Sequence, residues 1–249
     1  MQTILITGGT GKIGGQLVNH FYREGWQVIY TSRGVDSRQR LAERFDWEED
    51  TDLLVPIQVD FNDADAVATI LAAVKSYEVN IVVNNARDLS SLKVQPSGLT
   101  DRGKLQQEYL IDVIVPYELS TGLLEADHPL RHIINVGSIY GLVPFNPALY
   151  DDYEQSAPIQ YSLAKAALNH LTRELSIRYR GRCQVNTVSY GGVEGRVSDA
   201  FRERYRQLTP HGGMLTEEQT VGPVAFLASP ASRGITGQNI IQDGGWTTW

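Results

Sequence analysis

The chain has 249 residues, 42% of them hydrophobic, enough to bury a large core without disulfides or metals. Charged residues make up 20% and the formal net charge is −7, so no basic excess is available to neutralise a nucleic-acid backbone. Cys183 is the single cysteine, which excludes an intramolecular disulfide and a cysteine-built metal centre and suits a reducing, cytoplasmic setting.

The N-terminal MQTILITGGTG enters an apolar run at once, with neither a basic region nor a small-residue cleavage site, so no leader is expected. No apolar run approaches the roughly 20 residues needed to span a bilayer, so no membrane association is expected either. Short β-branched runs at 3–7, 27–31, 53–59, 80–84, 132–136, 184–188 and 239–242 predict seven strands. Stretches of helical period lie between them at 13–24, 36–45, 62–76, 101–126, 159–179 and 216–228. This alternation predicts an α/β chain: a doubly wound Rossmann fold with a seven-stranded parallel sheet and helices on both faces, in one domain over 1–249. Two segments interrupt the pattern. Residues 141–160 are rich in Pro, Tyr and acid; residues 191–215 open GGVEG and carry Arg196, Arg202, Arg204 and Arg206. The first is expected to wall a substrate pocket and the second to close over it as a lid.

Strand one runs into Thr7-Gly8-Gly9-Thr10-Gly11-Lys12-Ile13-Gly14 and then a helix. Glycines there allow a tight corner and aim helix amides at a phosphate, so Gly8, Thr10, Gly11, Lys12, Ile13 and Gly14 are expected to hold a dinucleotide. The tip of strand two reads Thr31-Ser32-Arg33, with no acid before Asp36, which is expected to cap the next helix. An acid at that tip would bind the ribose hydroxyls of NAD, whereas Arg33 beside Ser32 suits a 2′-phosphate, so NADP(H) is favoured and NAD(H) stays open. Tyr161 and Lys165 stand four apart and project from one helix face, and Ser138 follows strand five at the ligand-binding sheet edge.

TGGTGKIG at 7–14, VDF at 59–61, NNA at 84–86, the serine after strand five, YSLAK at 161–165, VNTVSYGG and ITGQNIIQDGG together resemble the short-chain dehydrogenase/reductase family over nearly the whole chain. The resemblance implies hydride transfer between a nicotinamide cofactor and a secondary alcohol or ketone. Tyr161 would be the general acid or base, assisted by Lys165 because a phenol with a pKa of about 10 is a weak base at neutral pH. Lys165 would also hold the nicotinamide ribose, and Ser138 would bond the substrate oxygen. Asp60 and Phe61 match adenine-contacting positions, Asn85 and Ala86 ribose positions, and Gly191 and Val193 the carboxamide segment.

Some positions depart from the family pattern. The glycine spacing is that of the extended subfamily, which leaves the role of Lys12 open. Asp112 stands where the family has an asparagine in a kinked helix, whose carbonyl holds a water of the proton relay; Asp112 substitutes if only the carbonyl acts. Arg87 replaces a glycine and Tyr190 a proline. The segment between Ser138 and Tyr161 is longer than usual, bringing Tyr150, Asp151, Asp152, Tyr153 and Glu154. Arg87, Tyr150, Tyr153 and Tyr190 are therefore expected near a small, polar substrate, with Arg87 suited to carboxylate or phosphate unless it forms an outward salt bridge.

The insertion, SIYG after strand five and the lid ending Gly212-Gly213-Met214-Leu215 further resemble dehydrogenases of bacterial flagellin-modification and nonulosonic-acid pathways, implying a sugar-derived substrate. A 3-oxoacyl thioester reductase and a cofactor-binding sensor or scaffold without turnover are the alternatives. The family implies a homodimer or homotetramer built on 101–126 and 159–179; the large apolar Trp246 and Trp249 are expected either at such an interface or packed on their own subunit. His20, His128, His132, His170 and His211 lack ligand spacing, so no metal site is expected, and Cys183 is expected to be a buried structural thiol.

Overall fold

The computed structural model describes residues 1–47, 52–195 and 197–249; Arg196 lies outside the described residues. All seven expected strands form, as β1 (Thr3–Ile6), β2 (Gln27–Ser32), β3 (Leu54–Gln58), β4 (Ile81–Asn84), β5 (His132–Ser138), β6 (Gln184–Tyr190) and β7 (Asn239–Gln242). They make one parallel sheet in the order β3-β2-β1-β4-β5-β6-β7. Strand order reverses between β1 and β4, and ligands of such sheets sit at the carboxyl ends beside that reversal. Pro56 is tolerated in β3 because β3 is an edge strand, which needs ladder bonds on one side only.

The helices are α1 (Lys12–Arg23), α2 (Ser37–Phe45), α3 (Ala66–Val74), α4 (Arg102–Tyr109), α5 (Val115–Glu125), a single turn α6 (Tyr153–Ser156), α7 (Ile159–Arg178), α8 (Asp199–Leu208) and α9 (Val221–Ala228). Alternate strand residues bury into different layers, the consequence of a two-residue side-chain period. Ile4, Ile6, Val28 and Val83 pack on Leu17 and Phe21 of α1 and Val224 and Leu227 of α9. Leu5, Ile29, Val82 and Ile133 pack on Ile70 and Val74 of α3, Leu119 and Leu123 of α5 and Leu175 of α7. Among the described residues no helix is long and apolar enough to cross a membrane.

The kink that the resemblance implies around Asp112 is a π-helical turn, Leu110–Ile114, which joins α4 to α5 within the stretch 101–126. Two expectations about elements need correction. The lid is not irregular throughout, because α8 lies inside it, with Ser198 Oγ accepting from Phe201 N at its start. Asp36 occupies the N-cap position of α2 but its side chain makes no capping bond.

A third apolar cluster lies over the carboxyl ends of β5 and β6. Ile139, Leu149, Tyr205 and Trp246 are buried there, with Tyr140, Tyr150 and Phe201 packed against them. Trp246 stacks on Tyr205 with centroids 4.7 Å apart, so it is buried by its own chain, whereas Trp249 is 78% exposed.

Candidate active site

The glycine turn is shaped by close approach. Gly8 has φ +68°, a region that favours glycine, and a Cβ there would come within 2.8 Å of Ala86 Cα. A Cβ on Gly14 would meet the Gly8 carbonyl and lie 2.6 Å from Asn85 Nδ2, so Gly14 permits helix and turn to pack together. Thr7 Oγ1 accepts from Asn85 N and Ala86 N, both at 2.9 Å, and Asn85 Nδ2 donates to Thr7 O at 2.9 Å. The NNA segment therefore buttresses the turn.

Gly11 caps α1 in an extended conformation without a side-chain bond, no acid occupies the first helical turn, and Ile13 is partly buried against the core. Those features fit an anion: exposed helix amides, a compact cradle and no competing carboxylate. Lys12, whose role the spacing left open, donates to the Glu194 carbonyl of the lid and stands 3.9 Å from Glu217. Arg44 donates to the carbonyl of Gly11 at 3.3 Å and pairs with Glu217.

Ser32 Oγ donates to Gly34 O at 2.8 Å, and Arg33, 63% exposed, lies 3.8 Å from buried Asp88. Burial opposes ionisation of Asp88, but hydrogen bonds from Ser90 and the charges of Arg33 and Lys104 outweigh it and hold the carboxyl below its usual range. Arg40, which sequence reasoning passed over, brings its guanidinium against Gly34 beside the same strand tip and forms no ion pair among the described residues. Its signal was a second cation in the helix after the basic tip. Asp60 Oδ1 accepts from Asn62 N at 3.0 Å, and Phe61 is buried against the α3 layer.

The expected catalytic groups gather at the carboxyl ends of β5 and β6. Ser138 is the last residue of β5 rather than a residue beyond it, and its Oγ accepts from Tyr140 N at 3.2 Å. Among the described residues that leaves the hydroxyl proton without an acceptor. Gly141 lets the turn after β5 lie on α7, since a Cβ there would approach the Lys165 backbone to 2.7 Å. Tyr161 stands in the first turn of α7 and Lys165 one turn on, with Nζ 5.8 Å from the Tyr161 ring centre.

Lys165 Nζ donates to Asp112 Oδ1 and to Val136 O, both at 2.9 Å, with the two side chains 6% and 1% exposed. The π turn carries Asp112 at its centre. Beyond any carbonyl role, the Asp112 side chain itself holds the lysine. Behind this pair, Asn84 Nδ2 donates to Asn135 Oδ1, Asn135 Nδ2 to Thr172 Oγ1, and Thr172 meets Thr187, at 2.8, 2.8 and 2.7 Å. This buried chain ties β4, β5, α7 and β6 together beneath the site.

The Arg87 guanidinium lies 4.4 Å from the Tyr161 ring centre, within cation–π range, and Tyr140 meets that ring edge-on at 6.4 Å. Arg87 makes no ion pair among the described residues, so the outward salt bridge is absent there. Tyr150 OH is 3.3 Å from Tyr140 OH, and Tyr150 packs edge-on to Tyr153 at 6.2 Å. Burial pushes the phenols of Tyr140 and Tyr150 up from their ordinary range, so both remain neutral hydrogen-bonding groups.

The placement of Tyr190 does not fit a substrate role: it is 3% exposed in the core and its hydroxyl donates to Thr220 O. Asp151 and Asp152 are taken up by the scaffold, Asp151 pairing with Arg204 at 2.8 Å and Asp152 capping α6 through Gln155 N. Gly191 N donates to Gln242 O at 2.9 Å, and Val193 bridges to Leu215 across the lid. Among the described residues no cluster of His, Cys, Asp or Glu is grouped to hold a metal ion.

A family model described as enoyl-(acyl carrier protein) reductase, of the short-chain alcohol dehydrogenase type, matches residues 10–247. A post-translational flagellin modification protein A of Campylobacter coli is 34% identical over 116 residues, 46% of this chain and 45% of that protein. A galactitol 2-dehydrogenase (L-tagatose-forming) of Cereibacter sphaeroides is 26% identical over 254 residues, covering 98% of this chain and 94% of the relative. Among solved structures, a short-chain dehydrogenase of Leptospira borgpetersenii with bound NAD+ superposes with a TM-score of 0.85 at 26% identity, covering 99% of this chain and 92% of the other.

Proposed function

The chain belongs to the short-chain dehydrogenase/reductase family and is an NAD(P)-dependent oxidoreductase, and from that premise we propose that it interconverts a secondary alcohol and a ketone on a polar, sugar-derived substrate, with NADP(H) preferred. The observation that carries the reading is the convergence of Ser138, Tyr161 and Lys165 at one sheet edge, with Lys165 held on two sides.

Gly8, Gly11 and the first turn of α1 would hold the pyrophosphate, with Thr10 and Lys12 beside it. Asp60 and Phe61 would flank the adenine, Asn85, Ala86 and Lys165 the riboses, and Gly191 and Val193 the carboxamide. When bound, the cofactor donates or accepts the hydride. Tyr161 then moves the hydroxyl proton of the substrate, while Ser138 donates its free hydroxyl proton to the same oxygen and fixes the reacting carbon. Lys165 has three donors, two of them satisfied by Asp112 and Val136, which leaves one to orient the ribose and face Tyr161.

Arg33 and Arg40 beside Ser32, with no acid among Thr31, Ser32 and Arg33, support the phosphorylated cofactor. The phenols of Tyr140, Tyr150 and Tyr153 and the cation of Arg87 favour a hydroxylated, polar substrate over an acyl chain. Both the partial likeness to a flagellin modification protein and the full-length likeness to a sugar-alcohol dehydrogenase agree with that choice. Exposed Tyr109, Ile114, Tyr117, Ile159, Leu163 and Ile177 on α4, the π turn, α5 and α7 support assembly into a homodimer or homotetramer.

The test is a titration with NADPH and NADH followed by nicotinamide fluorescence, then turnover on keto-sugars, sugar phosphates and acetoacetyl thioesters. NADPH binding at least about tenfold tighter, with turnover of a sugar, is expected. Tighter NADH binding refutes the roles of Arg33 and Arg40, and turnover of the thioester alone refutes the sugar. Tyr161→Phe abolishes turnover and keeps cofactor affinity; an unchanged rate would refute the assignment of Tyr161.

A further inference from the structure

Glu108 stands one turn before Asp112, is 2% exposed, and has no place in the mechanism above. Its Oε2 lies against Ser91 Oγ, while its Oε1 and the Oδ2 of Asp112 are both buried without a hydrogen-bond partner among the described residues. The charged and titratable groups around it come from three elements: Asp112 from the π turn, Lys165 from α7, and Arg87 from the segment after β4. Lys165 is already committed to Asp112 Oδ1 and Val136 O, and Arg87 lies out over the Tyr161 ring. A second buried anion in this cluster would compete with Asp112 for one ammonium.

Ser91 shows how that conflict is avoided. Its hydroxyl has one proton and two oxygen neighbours, the Asp88 backbone oxygen at 2.6 Å and Glu108 Oε2. A backbone oxygen only accepts. When both contacts are hydrogen bonds, Ser91 donates to Asp88 O and the proton of the other contact belongs to Glu108.

We propose that Glu108 is a positioning residue that works as a neutral carboxylic acid: it donates to Ser91 Oγ and leaves Asp112 as the only anion among the described residues that faces Lys165, which fixes the ammonium for Tyr161 and the ribose. Burial, and then the Asp112 charge, push the Glu108 carboxyl up; the charges of Arg87 and Lys165 oppose that push less strongly. The inference concerns the support of the site proposed above, and its readouts do not depend on knowing the substrate.

Three variants test it: Glu108→Gln, Glu108→Ala and Ser91→Ala, the last covering the case in which Glu108→Ala does not fold. NADPH affinity and urea stability are measured from about pH 6 to about pH 9, a range over which a raised carboxyl can titrate. Glutamine keeps a donor for Ser91 and has no proton to lose. It should hold NADPH affinity within about threefold of the parent at neutral pH, and its midpoint in urea should gain on the parent as pH rises. Glu108→Ala and Ser91→Ala should each weaken NADPH binding by about fivefold or more, because the partner left behind is buried and unpaired. Loss of about tenfold in the glutamine variant at neutral pH would show that the anion is required and overturn the proposal. Alanine variants indistinguishable from the parent would overturn it equally, as would a glutamine-minus-parent difference that shrinks with pH.

Discussion

Replacing Asp112 by alanine removes one partner of an ion pair whose side chains are 1% and 6% exposed and whose atoms are 2.9 Å apart. Breaking a buried pair from one side costs about 3–5 kcal/mol, since the remaining charge loses its compensation but not its desolvation. Lys165 would keep the Val136 carbonyl at 2.9 Å, which places the expected cost at the lower end, about 3 kcal/mol. For a chain of this size that corresponds to roughly 6–12 °C in the midpoint of thermal unfolding. Asp112→Asn retains an oxygen that accepts from Lys165 and should cost about half as much. The assay is urea denaturation at fixed protein concentration in a double-mutant cycle with Lys165→Met, where a coupling energy of about 2 kcal/mol or more is expected. Costs that add to within about 0.5 kcal/mol would refute the reasoning, because they would mean that the two groups do not hold each other.

Gly14→Ala drives a methyl group onto the Gly8 carbonyl and Asn85 Nδ2, both parts of a rigid turn; a loss of about 1–3 kcal/mol in urea stability is expected together with weakened nicotinamide binding, and unchanged binding would refute the close-packing role. Burial pushes the Cys183 thiol up to about 11, against the opposing charge of Arg182, so a disulfide reagent near pH 8 should modify native protein at least about a hundredfold more slowly than protein in urea. Equal rates would contradict that environment. Arg87→Ala should leave urea stability within about 0.5 kcal/mol and raise KM for a sugar phosphate or uronate by about tenfold while sparing the neutral sugar. A KM that rises equally for both would refute recognition of an anion.

The sheet was legible because each strand is a short β-branched run, and a parallel strand buried on both faces needs nothing more. The helices packed on it were legible from their periods, with ends shifted by a few residues where capping decides them. Helix α8 was passed over although Phe201, Tyr205 and Leu208 make a helical stripe after Ser198, because flanking glycines made the whole segment read as loop. Within the site, Tyr161 and Lys165 were readable from spacing along one helix. Their partners were not, because the bond from Lys165 to Asp112 spans 53 residues of sequence and depends on a π turn that no local pattern announces. Tyr190 went the other way: its position suggested the pocket, but the side chain of a strand residue alternates with its neighbours, and this one faces the core.

The charge arithmetic of the candidate site follows from Asp112. An amide at that position would leave the Lys165 ammonium as the cation nearest the reacting oxygen; the carboxylate here neutralises it inside the protein. With Glu108 protonated, the buried cluster sums to zero. Arg33, Arg44 and Arg204 are each matched by an acid, so Arg87 is left as the cation beside Tyr161 that no carboxylate answers among the described residues. In a chain of net charge −7, such a group is where an anionic substituent on the substrate would be drawn, one aromatic ring away from the hydroxyl proposed to move the proton. The substitution that ties down the lysine and the one that places an arginine after NNA therefore act together: the first removes free positive charge from around Lys165, and the second restores it over the Tyr161 ring.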